Sequence, residues 1–481
     1  MMKYKHALFL NPYIANSATS AMMLFPPTGL EYVAASAKAF ADKITLIDMR
    51  YEKDLADVEK LIDFIGRAID FVGVTISWNR QLPEICALLN RIPETLPLVL
   101  GGFTATEKVD ELFSWSPRIN IICRGEGEET IKEILQGKPL EDILGISFRR
   151  NGSIVHNANR PLTDVNNIVS PDRSLRRQQY QLTLNNVTVS NLSFDTVLTS
   201  RGCPFNCKFC TFTLNPLGQK RSFSPRDVAS VVEEISGISA KMVLFSDENF
   251  SFDAKRAEQI CDGIIARGIK KRFIVQARIE IAKHPELLAK MVQAGFRAIL
   301  IGIESPHDRI LAQLNKGFDS AAVRKYFKVL RSFPLYYHGY FIYGNLTETE
   351  EEMLYIPEFA KEIGVDSISF LKLRIEKFSP LRELVEQTPD YHIREDGLLY
   401  SDVYGTRDLK KIGRKIKFAF YTPGRYMHLL KKVFFEIKFF TGGEILSFIA
   451  AAPRVLKSVL TREIEKGRLG DSLKRIFVSN K

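Results

Sequence analysis

Twice along this chain, short runs of unbroken apolar residues alternate with segments whose apolar residues recur at helical spacing. A strand that is apolar at every position must be buried on both faces, and helices crossing over a parallel sheet provide that cover. The first such region occupies residues 1–145: HALFLNP, ITLIDM, FVGVTIS, LPLVLGG and INIIC read as strands, separated by helical segments such as DVEKLIDFIGRA and LPEICALLNRI. This order predicts an α/β fold with a doubly wound, Rossmann-like sheet. In such sheets ligands bind beyond the carboxyl ends of the strands. Those ends carry Asn11-Pro12, Asp48, Ser77-Trp78-Asn79, Gly101-Gly102 and Arg124-Gly125-Glu126-Gly127, small or polar as a crevice requires.

The second alternating region spans residues 191–400, with DTVLTS, KMVLFSD, RFIVQAR, AILIGIE, YYHGYFIYG and SISFLKL as its strands. Six β/α units predict a partial barrel, with chemistry at the carboxyl ends of its strands. Residues 146–190 between the two regions read as a connector that includes a hairpin, ISFRRNGSIVHN, and residues 401–481 read as a basic helical C-terminal region.

A chain of 481 residues accommodates these domains, and 45% hydrophobic with 26% charged residues excludes collagen-like, coiled-coil and wholly disordered classes. No apolar run approaches the roughly 18 residues of a spanning helix. The early ALFL reads as a first buried strand and not a secretory signal, so a cytoplasmic location is expected. The net charge of +11 is unevenly placed: Arg407–Lys481 holds 18 Lys and Arg against 6 Asp and Glu, while the rest holds 49 against 50. Such a tail meets a membrane surface or a nucleic acid, or it is the solvated face of a packed helical domain.

Of six cysteines, Cys86, Cys123 and Cys261 lie in apolar rhythm and read as small core residues. The other three fall within eight residues, Cys203-x-x-x-Cys207-x-x-Cys210, directly after the strand DTVLTS. Three thiolates on a short loop bind three irons of a cubane and leave the fourth iron open. Structural zinc is the alternative, but it takes four ligands, and the nearest other Cys and His in sequence, Cys261 and His156, are not at zinc-like spacing.

The spacing and its place after a first barrel strand resemble the radical S-adenosylmethionine (SAM) superfamily, whose open iron chelates SAM and whose cluster cleaves it to a 5′-deoxyadenosyl radical. The resemblance implies a 4Fe–4S cluster on Cys203, Cys207 and Cys210, with Phe209 against adenine. It places Ser246, Asp247 and Glu248 near the SAM amino group, although the family often has Gly-Gly-Glu there. Gln276 and Arg278 fall where polar side chains meet ribose and carboxylate, and Glu304 near the ribose and methionine moiety. Taken alone, Arg278 reads equally as a rim ion pair and Glu304 as a helix N-terminal carboxylate. Leu346 and Thr347 stand where the family often has Pro and Gly.

Beside that barrel, residues 1–145 are similar to the cobalamin-binding domain of the cobalamin-dependent radical SAM class, through FPPTGLEYVAA, LVLGGFTAT and CRGEGEETIKEIL. The resemblance implies cobalamin near Thr75, Ser77, Gly101, Gly102, Gly125 and Glu126, where glycine lets backbone approach a large ligand. The Asp-x-His-x-x-Gly motif of many cobalamin domains is missing, and the only His before residue 150 is His6. The class often lacks that motif too. A fold kept without cobalamin is the alternative.

The tail interleaves Lys and Arg with Phe, Tyr, Leu and Ile, which suits an anionic membrane interface. Nucleic acid is the weaker partner, supported only by aromatic interleaving. Phe420-Tyr421-Thr422-Pro423 loosely matches a segment of subfamilies that modify lipids, hopanoids and porphyrin rings. The resemblance implies hydrogen abstraction from an unactivated carbon of a hydrophobic small molecule (lipid, terpenoid or tetrapyrrole), methylation through methylcobalamin, and a reducing donor such as flavodoxin or ferredoxin. Oxidative cyclisation or rearrangement with a degenerate cobalamin domain, and a non-catalytic cobalamin sensor, are the alternatives. Transfer RNA methylthiolation needs three further cluster cysteines in the N-terminal domain, where only Cys86 and Cys123 exist.

Overall fold

The computed structural model describes residues 4–14, 22–23, 25–52, 54–77, 81–184, 187–210 and 214–465. Trp78 and Asn79 of the expected crevice, Thr211 and Phe212 after the last clustered cysteine, and the tail from residue 466 lie outside them. Two compact units emerge: residues up to Thr196 together with those from Gly442, and Val197–Thr441.

The first unit is built on seven strands: β1 (Tyr4–Asn11), β2 (Ala41–Asp48), β3 (Phe71–Thr75), β4 (Leu98–Gly101), β5 (Ile121–Cys123), β6 (Ile146–Arg150) and β7 (Ser153–His156). Their order is β2-β1-β3-β4-β5-β6-β7. The first five are parallel and the last two antiparallel. Leu8, Leu10, Val72 and Leu100 pack on one side with Leu61, Ile65 and Leu89, and Phe9, Phe71 and Val99 on the other with Leu30, Ala34 and Ile131. Both faces are covered, which is why the strands read as unbroken apolar runs.

The expected connector is more than a link. Its hairpin continues the sheet because Ile146 and Phe148 are fully buried in the core that holds Ile121. Asn151 and Gly152, both at positive φ (49° and 81°), make the two-residue turn. Farther on, Arg176 reaches both Glu31 and Asp195, and Arg173 pairs with Asp195 at 2.9 Å, binding the segment to helix Thr28–Ser36 and strand Val187–Val197. The sequence boundary at residue 145 therefore falls inside a folded sheet.

The second unit carries β8 (Met242–Phe245), β9 (Arg272–Ala277), β10 (Phe296–Glu304), β11 (Tyr336–Tyr343) and β12 (Ser367–Lys372), parallel and adjacent in that order. The strand DTVLTS ends at Val197, whose carbonyl accepts from Ser246 N–H at 2.8 Å. Outward residues such as Phe245, Phe273, Ile299 and Tyr337 share one core with the crossover helices. Asp227, Asp253 and Asp319 cap three of those helices, and Thr349 with Glu352 forms a capping box on Glu350–Ile363.

The inward residues form rows fixed by register. Gln276, Leu300, His338 and Ser367 lie in one row, and Gly302, Tyr340 and Ser369 in the next. The C-terminal region divides. Helix Thr406–Phe420 buries Leu409, Ile412, Ile416 and Phe420 in the barrel core and exposes its basic face. This helix is thus packed on the barrel. Helix Gly442–Glu465 instead belongs to the first unit, with Glu444 and Ala451 buried. Among the described residues no helix is long and apolar enough to cross a membrane.

Candidate functional site

The cysteine loop is clamped from several sides. Gly202, at φ 81°, leaves so little room that a Cβ would lie 2.7 Å from the Arg221 carbonyl oxygen and closer still to that of Ser222. Its N–H donates to Glu248 Oε2 at 3.0 Å. Farther along, Lys208 N–H donates to the Leu314 carbonyl (3.0 Å), and the Lys208 carbonyl accepts from Ser379 Oγ (2.8 Å). Asn315 Nδ2 donates to the Asn206 carbonyl at 2.8 Å. Cys203, Cys207 and Cys210 are half-buried and form no disulfide, whereas Cys86, Cys123 and Cys261 are buried. Three accessible thiols on an anchored loop fit a cluster that needs three thiolates and an open iron. Among the described residues no three His, Cys, Asp or Glu side chains converge on a single ion.

The acids after β8 divide their work. Asp247 is buried and accepts from Thr199 N–H (2.7 Å), Ser200 Oγ (2.8 Å) and the Thr199 hydroxyl, while Arg256 donates to the Thr199 carbonyl at 2.8 Å. Asp247 anchors the start of the loop. Glu248 stays near the cysteines, and burial, reinforced by the Asp247 charge, pushes its carboxyl up to about 7. Ser246 and Gln276 are half-buried at the ends of their strands.

Glu304 closes β10 in the left-handed region (φ 71°). Its carboxylate folds over Gly302, where any Cβ would overlap it, and pairs with Lys316 Nζ at 3.2 Å. Both side chains are buried, and the ammonium lies 5.7 Å from the Phe209 ring centre. Phe209 packs on the cluster of Ile310, Leu314, Ile342, Leu346 and Leu373. Thr347, where the family often has Gly, adopts φ 60°, the conformation that favours a glycine there.

Arg278 is engaged through each of its guanidinium nitrogens. It donates to the Glu280 carboxylate (2.9 Å), to Cys207 Sγ (3.5 Å) and to the Lys316 carbonyl. The rim ion pair read from the residue alone is present.

On the inner wall His338 bridges Ser367 Oγ (2.6 Å) and Ser369 Oγ (3.0 Å), and it meets the Tyr340 ring edge-on at 4.8 Å. Burial pushes this imidazole down to about 4, so it is neutral near pH 7. Neither His338 nor Lys316 emerges from motif reading. The alternation in YYHGYFIY and SISF does place His338, Tyr340, Ser367 and Ser369 on one face.

In the first unit the crevice loops come together at the carboxyl edge of the sheet. Ile76 N–H donates to the Gly101 carbonyl (2.7 Å), and Gly102, at φ 104°, passes so close that a Cβ would sit 2.7 Å from Ile76 O. Thr75 Oγ1 and Ser77 Oγ are 3.1 Å apart, and Gly125 N–H donates to Thr106 Oγ1 at 3.0 Å. These small and polar groups fit a large ligand that rests on backbone. Glu126 accepts from Thr163 N–H at 2.8 Å through one carboxylate oxygen. His6 lies near the start of β1, away from that edge, and is held by Thr45 Oγ1 at 2.8 Å.

Residues 197–360 match the Radical SAM superfamily, and residues 18–135 match the B12 binding domain. An uncharacterised methyltransferase of Pyrococcus horikoshii is 30% identical over 357 residues, which cover 72% of this chain and 75% of the relative. The anaerobic magnesium-protoporphyrin IX monomethyl ester cyclase of Cereibacter sphaeroides is 25% identical over 371 residues, 72% of this chain and 58% of that protein. The solved structure of the radical SAM methyltransferase TsrM from Kitasatospora setae, with cobalamin and a 4Fe–4S cluster bound, matches with a TM-score of 0.68 at 15% identity. It covers 88% of this chain and 90% of TsrM, a likeness of fold. The two domain matches assign a 4Fe–4S cluster with SAM to the second unit and cobalamin to the first. With a radical SAM match, a B12-binding match and a methyltransferase relative at 30% identity, the non-catalytic sensor reading falls: the chain belongs to the cobalamin-dependent radical SAM family of enzymes.

Proposed function

We propose that this enzyme transfers a methyl group to an unactivated carbon of a hydrophobic small molecule that carries one oxygen-bearing group. The inner wall of the half-barrel carries this reading. Leu244, Ile274, Leu300, Tyr340 and Leu371 offer apolar surface, and the Ser367–His338–Ser369 relay is a polar point among them. When bound, the cluster supplies the electron that cleaves SAM, and cobalamin supplies a carrier for the methyl group. Cys203, Cys207 and Cys210 hold the cluster, and Phe209 packs the adenine side of SAM. Glu304, fixed by Lys316, presents a carboxylate to the ribose and methionine end. Thr75, Ser77, Gly101, Gly102 and Gly125 seat cobalamin. The neutral relay orients the substrate hydroxyl or carbonyl and takes no net proton.

The test is anaerobic purification with cobalamin, followed by an optical spectrum and assays for 5′-deoxyadenosine and S-adenosylhomocysteine with oxygenated lipid, terpenoid and tetrapyrrole substrates. Both products in amounts matching the methylated product support the reading. A cyclised product without S-adenosylhomocysteine overturns methyl transfer in favour of cyclase chemistry.

The tail supports a peripheral membrane contact in the same reading. Lys411, Arg414, Lys415 and Phe418 share one face of helix Thr406–Phe420, and Phe418 is 74% exposed on it. Each basic residue near an anionic surface contributes about 1 kcal/mol. The full chain is expected to sediment with anionic vesicles. Reversing Lys411, Arg414, Lys415 and Lys417 to Glu abolishes this, and unchanged sedimentation together with equal binding to neutral vesicles overturns it.

A further inference from the structure

We infer that Arg278 raises the reduction potential of the cluster, a role that rests on the proposed ligation by Cys203, Cys207 and Cys210. Each guanidinium nitrogen has a partner within the chain. Nε and Nη2 face the Glu280 carboxylate (3.2 and 2.9 Å), Nη2 also donates to the Lys316 carbonyl, and Nη1 donates to Cys207 Sγ at 3.5 Å. The Phe205 ring centre lies 3.8 Å from the guanidinium carbon and that of Phe318 5.2 Å away, and the side chain is only 9% exposed. Its backbone N–H is also occupied, by Asn249 Oδ1 at 3.4 Å.

A guanidinium shielded by two rings acts on a neighbouring charge with little screening. One-electron reduction adds a negative charge to the cluster. A cation hydrogen-bonded to a ligand sulfur stabilises the reduced form and shifts the potential upward. Glu280 binds the edge away from Cys207, so the pair is a dipole with its positive end toward the sulfur. The two residues of that pair therefore act with opposite sign. Removing the Arg278 charge makes reduction harder, and removing the Glu280 charge makes it easier.

The test is a redox titration of the full-length, cobalamin-loaded, SAM-free protein, with the reduced cluster fraction read by iron-specific Mössbauer spectroscopy, which ignores cobalt. Arg278→Gln is expected to lower the one-electron reduction equilibrium constant at least tenfold, about 59 mV, and Glu280→Gln to raise it. If Arg278→Gln fails to hold iron, Arg278→Lys and Glu280→Gln carry the test: the first keeps the charge and stays near wild type, and the second still shifts upward. Wild-type midpoints in the iron-replete variants, or shifts of one sign in both, overturn the inference. A wild-type protein that assembles no cluster overturns the ligation on which the inference rests, and the inference with it.

Discussion

Replacing Gly202 by Ala asks how much of the cysteine loop's shape depends on one missing side chain. The backbone there is left-handed (φ 81°), and the added methyl would press on the carbonyls of Arg221 and Ser222. Gly218 provides the control: it has nearly the same φ (74°), with nothing within 4 Å of a built Cβ. Both substitutions incur the left-handed penalty of about 1–2 kcal/mol. Only Gly202→Ala adds the strain of forcing a methyl against backbone, about 1–3 kcal/mol. The expected losses are thus about 2–5 kcal/mol for Gly202→Ala against about 1–2 for Gly218→Ala. In a domain of this size each kcal/mol lowers the melting temperature by about 2–4 °C. Circular dichroism melts of the two variants, prepared anaerobically side by side, read that difference. Iron and sulfide content per chain gives the second readout, since Gly202 adjoins Cys203 and its displacement moves a ligand. Gly202→Ala should melt well below Gly218→Ala and retain little iron. Equal melting temperatures with equal iron would refute the argument that the close backbone approach shapes this loop.

Cys203→Ala, Cys207→Ala and Cys210→Ala should each abolish cluster assembly and 5′-deoxyadenosine formation, whereas Cys86→Ala and Cys261→Ala, buried in packed cores, should keep both. Acid should weaken the fold through His338: the unfolded imidazole protonates near 6.5 and the folded one only near 4, so between those values the unfolded state binds the extra proton and stability falls as pH falls. The effect is about 3 kcal/mol across that window, and urea titrations of wild type and His338→Gln should show a flatter pH profile in the variant. Cobalamin bound to the protein should lack a protein imidazole on cobalt. Nitrogen splitting from a histidine in the paramagnetic resonance of the Co(II) form would contradict this.

Much of the barrel is legible from local pattern, because its strands are short apolar or alternating runs and several helices begin at a capping residue such as Asp227 or Asp253. The cysteine loop is legible for the same reason, its three ligands lying within one turn-rich segment. What sequence order does not convey is which of two adjacent acids turns inward. Asp247 and Glu248 exchange no local signal, and it is the Thr199 N–H with the Thr199 and Ser200 hydroxyls, far back in the chain, that hold Asp247 under the loop. Arg278 has its counter-ion two residues on, but its contact with Cys207 depends on how strand ends assemble. Lys316 joins Glu304 only because the chain turns back after helix Asp308–Gln313. The hairpin ISFRRNGSIVHN is legible in the sequence, but its place on the edge of β5 required the tertiary partner.

The first unit draws its residues from both sides of Val197–Thr441. During synthesis it must wait, with the docking surface for Glu444 and Ala451 unfilled, while the whole barrel is translated, an interval on the order of tens of seconds. Folding of the two units is therefore interleaved in time, and the exposed seam in the waiting unit is a natural point of capture by chaperones. Shortening the chain near Tyr400 removes that closing helix along with the basic segment, so a loss of cobalamin after such a deletion would report an unfinished first unit and not a cofactor contact in the tail.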